Sequence, residues 1–200
     1  MQLLKKDEYK KAASIVEQGG LIAFPTETVF GLGVIFDKKS SYDNLVDVKR
    51  RPPEKPFTLM CGDVSDVYKY GIIDERADKL IRKYMPGQFT IIVKAKDGLP
   101  SWVVSKEGYV GMRVPDDEFV KTLINEVGKP LLVPSANRSG EKPLNNSNDV
   151  LKIFSNDVDV IIEGESKSAV PSTIVLIGST VEVIREGLIS KAEIYKTLED

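Results

Sequence analysis

The alternation of short apolar runs with longer amphipathic segments constrains this chain most. LIAF at 21–24, FTLMC at 57–61, FTIIVKA at 89–95, GYVGMRVP at 108–115 and LLVP at 131–134 fit strands, as do VDVII, STIVLIG and VEVIREG near the C-terminus. Between them, a helix from Asp7, as its cap, to about Gln18 would bury Ala12, Ile15 and Val16. Further helices are expected over Ser41 to Lys49, over 74–87 with Ala77, Leu80, Ile81 and Tyr84 on one face, and over 116–128, with a turn or two at 149–154. Strands alternating with helices predict an α/β fold on one open twisted sheet with flanking helices. The pairing of STIVLIG with VEVIREG across Ser179-Thr180 reads as a hairpin, which makes the sheet mixed. No repeat, linker or low-complexity block divides residues 1–200, so a single domain is expected.

Histidine is absent, which removes Ser-His triads and imidazole bases, and the lone cysteine, Cys61, removes thiolate-rich zinc sites. Cys61 cannot form an internal disulfide and the N-terminus lacks a secretory apolar core, so a cytoplasmic setting is expected. No apolar run is long enough to cross a bilayer. A formal charge of −2 gives no global field for nucleic acid. The chain has no GxxxxGK[ST] motif, and GLG at 31–33 lacks the third glycine of a dinucleotide fingerprint. Phosphate chemistry here therefore falls to Lys, Arg, hydroxyls and backbone amides.

Lys49 and Arg51 stand where a helix gives way to RRPPEKP, and extended geometry there would aim both to one side; a solvated helix end is the competing reading. Ser135 and Asn137 follow a buried strand, where they suit phosphate or ribose contacts or an ordinary turn. Thr26, Glu27 and Thr28 after Pro25 read as a helix cap or as a strand end facing a cleft. Arg113 inside GMRVP must reach an anion, either a substrate carboxylate or an internal salt bridge. Ser172, Thr173 and Arg185 repeat the pattern of hydroxyls and guanidinium groups at strand ends.

Taken in order, GGLIAFPTETVFGLG at 19–33, Lys49-x-Arg51-Pro52 with KPF at 55–57, PGQFT at 86–90, MRVP at 112–115, PSANRSG at 134–140, Pro171-Ser172-Thr173 and IREG at 184–187 resemble the YrdC/TsaC family of threonylcarbamoyl-AMP synthases. The resemblance implies a YrdC-like fold around a deep electropositive cleft. It also implies a reaction in which L-threonine and bicarbonate give a carbamate, whose carboxylate attacks the ATP α-phosphorus to form threonylcarbamoyl-AMP and pyrophosphate. Mg2+ would be carried with ATP. Downstream threonylcarbamoyl-transferase proteins would place the group on the adenosine beside a tRNA anticodon, and tRNA is a further candidate partner of this chain.

By the same resemblance, Lys49, Arg51, Ser135 and Asn137 would be catalytic and hold the ATP phosphates, with Lys55, Pro143 and Arg185 assisting. Thr28, Arg113 and Ser172, with the backbone near Tyr109 and Val133, would hold threonine. Two departures stand out: long-form members often carry histidine near Met60 and tyrosine where this chain has Phe30. With little sequence after IREG, the resemblance leads to the expectation of a short form, without the extra C-terminal domain and linker tyrosine of long forms. Two other readings are an RNA-binding or ribosome-assembly module of this fold, against which the acidic charge argues, and a carbamoyl-transfer enzyme with a related domain.

Overall fold

The computed structural model describes residues 1–51 and 56–199. Its strands are β1 (Gln2–Leu4), β2 (Ile22–Phe24), β3 (Gly31–Ile35), β4 (Leu59–Met60), β5 (Phe89–Lys94), β6 (Tyr109–Arg113), β7 (Leu131–Leu132), β8 (Val160–Ile162), β9 (Thr173–Ile177) and β10 (Val181–Arg185). The α-helices are α1 (Tyr9–Glu17), α2 (Lys39–Lys49), α3 (Val64–Tyr70), α4 (Glu75–Tyr84), α5 (Glu118–Val127), α6 (Ser147–Phe154) and α7 (Lys191–Glu199). The strands form one open mixed sheet in the order β1-β8-β2-β3-β7-β4-β6-β5-β9-β10. As expected, β9 and β10 are an antiparallel hairpin.

Because side chains alternate across a strand, the sheet sorts its apolar residues into two cores. Leu32, Val34, Leu59, Ile91, Met112, Leu132, Ile161 and Val175 point to one face, with residues of α2, α4, α6 and α7. Ile22, Phe24, Ile35, Met60, Leu131, Val160 and Ile162 point to the other, where α1 and α5 pack against each other and cover them. On this second face, β6, β5, β9 and β10 contribute nothing to the buried cluster. Their residues there, Tyr109, Gly111, Ile92, Ile174 and Leu176, are only half-buried. Half of one face is therefore left open beside a covered half.

Several expectations change. Asp7 does not cap α1; it lies in a 3-10 turn, Lys6–Glu8, closed by the Lys5 amide donating to Glu8 Oε2 at 2.9 Å. The cap reading of Thr26–Thr28 fails because the chain turns there into β3, not a helix. That strand was hidden by its glycines, which close packing requires: a Cβ on Gly31 would lie 2.6 Å from Val133 Cγ1, and one on Gly33 2.6 Å from Phe24 Cε1. Strands expected at 57–61 and 131–134 form only two-residue pairings, β4 and β7. β1, α3 and α7 add to the expected elements. Asp74, Asp117 and Asn146 accept amide hydrogen bonds as caps of α4, α5 and α6.

α2 ends in a way that decides where its last side chains go. Arg50 has φ 50° and ψ 44°, the left-handed conformation that costs a residue with a Cβ about 1 kcal/mol. Its amide donates back to Asp47 O, and that of Arg51 to Val46 O, closing the helix. The turn sends Lys49 inward, 2% exposed, where Nζ donates to Ser135 O (2.6 Å), Asn137 O (2.6 Å) and Asn137 Oδ1 (2.9 Å). The Ser139 amide answers by donating to Lys49 O at 2.9 Å. One buried ammonium thus ties the end of α2 to the loop after β7.

Two stability outcomes are expected. Arg50→Gly should raise unfolding free energy by about 0.5–1 kcal/mol in urea melts, since glycine enters the left-handed region without strain. Lys49→Met should cost about 3 kcal/mol, because three buried oxygens lose their donor. Burial, with Arg51 and Arg138 nearby, lowers the Lys49 pKa from 10.5 to about 7. Between those values the unfolded chain keeps a proton that the folded chain releases, so the stability due to Lys49 rises with pH. The gap between wild type and Lys49→Met should therefore widen from pH 7 to pH 9, and a gap that narrows would contradict this.

Candidate active site

The open half-face forms a cleft at the ends of β2, β4 and β7. Its inner cavity is lined by Thr26, Thr28, Gly31, Arg51, Thr58, Met60, Thr90, Arg113, Val133, Ser135, Ser172 and Arg185, with Phe30, Pro171 and Ile174 among the apolar walls. Three arginines reach it, and among the described residues no carboxylate lines it. A second, larger cavity of about 400 Å³ adjoins it, sharing Thr58, Thr90 and Ile174 and continuing over Phe57, Ile92, Tyr109 and Leu176.

Arg113, 5% exposed, is held on three sides. Nε donates to Gly87 O (3.1 Å), Nη1 to Thr28 Oγ1 (3.0 Å) and Nη2 to Glu27 Oε1 (2.6 Å). The internal salt bridge anticipated for it is therefore present, with Glu27 as partner. Glu27 Oε1 also accepts the Asp116 amide at 2.9 Å. One N–H on each terminal nitrogen of Arg113 is left over, and the residue still lines the cavity, so the ion pair holds a guanidinium that has donors to offer.

Thr26 and Thr28 are joined in sequence with that arginine. Thr26 Oγ1 donates to Val29 O at 2.8 Å, so the 2.9 Å contact between the two hydroxyls uses the Thr28 proton. Thr28 in turn accepts from Arg113. Its proton is thus fixed, and the residue lines the cavity.

The expectation that Lys49 and Arg51 point together is overturned. The left-handed Arg50 between them turns Arg51 into the cavity and Lys49 under the Ser135–Asn137 turn. Arg51 Nη2 donates to Pro56 O at 3.2 Å, its guanidinium lies 5.0 Å from the Phe57 ring centroid, and burial lowers its pKa. Ser135 lines the cavity, with Oγ donating to Asn137 Oδ1 at 2.6 Å. Asn137 spends both amide hydrogens on Arg138 O and Glu141 O, each at 2.8 Å. It supports the loop and, like Lys49, is absent from the cavity wall.

On the far wall, Ser172 Oγ lies 2.9 Å from Thr90 Oγ1 and accepts from Arg185 Nη2 at 3.2 Å, while Arg185 Nε donates to Ser172 O at 3.0 Å. Thr173 turns away, taking the Gly187 amide and donating to Ile189 O, which pins the segment after β10. Val133 lines the inner cavity and its amide donates to Thr58 O. Tyr109 lies in the adjoining cavity instead, under Lys94 Nζ at 4.2 Å from its ring centroid. Pro143 belongs to the loop after β7 but does not reach the cavity wall, and Lys55 lies outside the described residues. Met60 is in the wall and buried. The residues that sequence reasoning passed over are Thr58 and Thr90; Thr90 lay in the PGQFT motif as one more strand threonine. Among the described residues, no three His, Cys, Asp or Glu side chains come together to hold a metal ion.

The Sua5/YciO/YrdC family model, described as telomere recombination, matches residues 14–187. The chain is 30% identical over 181 residues to the uncharacterized protein YciO of Escherichia coli, covering 89% of this chain and 88% of YciO. It is also 30% identical to the threonylcarbamoyl-AMP synthase of Vibrio parahaemolyticus, over 90% of this chain and the full length of that enzyme. The crystal structure of P. abyssi Sua5 complexed with L-threonine superposes with a TM-score of 0.93 at 26% identity, covering 98% of this chain and 61% of Sua5. This chain thus spans about three-fifths of Sua5. On this agreement of family model, sequence and fold, the chain belongs to the Sua5/YciO/YrdC family.

Proposed function

We propose that the protein forms threonylcarbamoyl-AMP and pyrophosphate from L-threonine, bicarbonate and ATP. The observation that carries this reading is a single cavity lined by Arg113, fixed by Glu27 and Thr28, together with Arg51 and Ser135. Such a cavity accommodates a small amino acid on one wall and a polyphosphate on the other. Its likeness to a protein crystallised with L-threonine supports the amino-acid side.

In this reading Arg113 offers its two spare N–H groups to the threonine carboxylate, in the fork geometry suited to it, and Thr28 and Ser172 hold the rest of the amino acid. Arg51 takes the phosphates. Ser135 turns its proton from Asn137 to a phosphate oxygen, and Lys49 keeps Asn137 Oδ1 satisfied while it does so. Lys49 and Asn137 are then positioning residues, one step removed from the nucleotide. The apolar adjoining cavity, with Phe57 and Tyr109 on its walls, suits the nucleoside end.

The carbamate oxygen attacks the α-phosphorus in line, a new P–O bond forms, and the bond to the bridging oxygen breaks as pyrophosphate leaves. Such a step asks the protein mainly for alignment and charge neutralisation, which hydroxyls and guanidinium groups supply without histidine. Magnesium enters as the metal of the nucleotide substrate. The adenylate would pass to a transferase that modifies the adenosine beside the anticodon.

Wild-type protein given ATP, magnesium, threonine and labelled bicarbonate should release pyrophosphate and form a labelled adenylate; no release of either, beside an active control synthase, would falsify the reading. Arg51→Ala should cut kcat/KM for ATP by 100-fold or more while the melting temperature moves by only a few degrees. Arg113→Lys keeps the charge but loses the fork, and should raise KM for threonine at least tenfold. An unchanged threonine KM would remove Arg113 from the amino-acid side.

A further inference from the structure

Four residues stand in one row across the open face of the sheet. Thr90 on β5 pairs with Ile174 on β9, and Ile174 with Arg185 on β10. On the other side of β5, Ile91 pairs with Met112, which brings Arg113 beside Thr90. All four line the inner cavity. Two guanidinium groups therefore flank a buried threonine, and they differ in one respect. Arg113 is neutralised by Glu27, whereas among the described residues Arg185 bonds only to Ser172, through its carbonyl and hydroxyl oxygens. Arg185 is exposed over part of its surface, and the desolvation of the rest, then the charge of Arg113, lower its pKa.

The hydroxyls between them are not fully committed. Ser172 and Thr90 share one hydrogen bond, and Ser172 accepts from Arg185. Of their two protons one joins the pair and one is left, on whichever oxygen is not the donor. The row thus presents one uncompensated positive charge, spare guanidinium N–H groups in a plane and one hydroxyl proton. Those donors match a small, planar, singly charged oxyanion.

We propose that Arg185 and Thr90, linked to each other through Ser172, form the bicarbonate subsite, with Thr90 as a substrate-binding residue. This rests on the synthase reading and locates its one-carbon substrate beside the amino acid on Arg113, in the cavity that Arg51 also lines. The lone pair of the neutral threonine amine attacks the bicarbonate carbon, an N–C bond forms, and the C–OH bond breaks. The departing hydroxide leaves as water with one amine proton, and the carbamate keeps the single negative charge that Arg185 faces.

The test is pyrophosphate release by wild type, Thr90→Val and Thr90→Ser, with bicarbonate, threonine and ATP varied in turn. Thr90→Val keeps the shape and removes the hydroxyl; it should raise KM for bicarbonate about tenfold and leave those for threonine and ATP within about twofold, and Thr90→Ser should restore it. A rise in the ATP KM alone would make the cluster a phosphate site, and an unchanged bicarbonate KM would remove Thr90; either overturns the proposal while the synthase reading stands. In parallel, 13C-bicarbonate is titrated with each protein in the presence of threonine. Broadening by wild type and Thr90→Ser but not by Thr90→Val is expected. If that difference appears without turnover, the subsite holds and the synthase reading falls. If wild type leaves the bicarbonate signal unchanged, the subsite falls.

Discussion

The strand period of two, applied to a sheet that its helices cover unevenly, is the constraint from which the site follows. Leu59 and Met60, or Leu131 and Leu132, enter opposite cores because neighbouring side chains cannot share a face. On the face of α1 and α5 the apolar supply stops at β4 and β7. Beyond it, that parity gives Arg113, Thr90 and Ile174, two of them polar, on strands whose opposite faces carry Met112, Ile91 and Val175 in the core. A one-residue slip in β5 would turn Thr90 and Ile92 into the core in place of Phe89, Ile91 and Val93. The packing that holds the strand also keeps its polar face toward the cleft.

Gathering cationic side chains near one another, Lys49 and Arg113 buried and Arg138 partly so, needs a separate answer for each. Lys49 is surrounded by carbonyl and amide oxygens, Arg113 by a carboxylate, a hydroxyl and a carbonyl. Arg138 donates to Val48 O and to Asp157, 2.6 Å away, at the outer side of the same loop. Only Lys49 among these sits where protein oxygens exhaust its donors. Arg113 and Arg185 retain donors toward the cavity, which separates groups that build the site from groups able to meet a ligand.

Legibility in the sequence followed the same physics. Long periodic segments such as DERADKLIRKYMPG and the hairpin at Ser179-Thr180 were readable because their pattern repeats over several turns or residues. β3 was not, since Gly31 answers to Val133, a contact remote in sequence, and Gly33 to Phe24 on the neighbouring strand, a pairing that the glycines themselves conceal. β4 and β7 were read too long because two-residue pairings carry no period of their own. Among the site residues, Arg51, Ser135, Thr28, Arg113, Ser172 and Arg185 could be gathered by motif order and do share a cavity. The Glu27 partnership could not, as nothing in PTET says which of its side chains turns inward to an arginine 86 positions away. Thr90 looked like any strand threonine until its register beside Ile174 put it between two arginines.

The two residues of the Lys49-x-Arg51 element show why a motif can be read correctly as a unit and wrongly as a geometry. Extended backbone would have made them neighbours; a single left-handed residue makes them a support and a ligand-facing group. The supporting role demands lysine at the first position, because three oxygens converge on one nitrogen and a tetrahedral ammonium offers three protons there. A planar guanidinium could not meet all three at 2.6–2.9 Å from one atom. At the second position, a group that bonds Pro56 O while resting on the Phe57 ring needs the flat face and several donors of arginine. The difference between the two cations is thus set by what each has to touch, and the turn at Arg50 is what lets one short segment satisfy both.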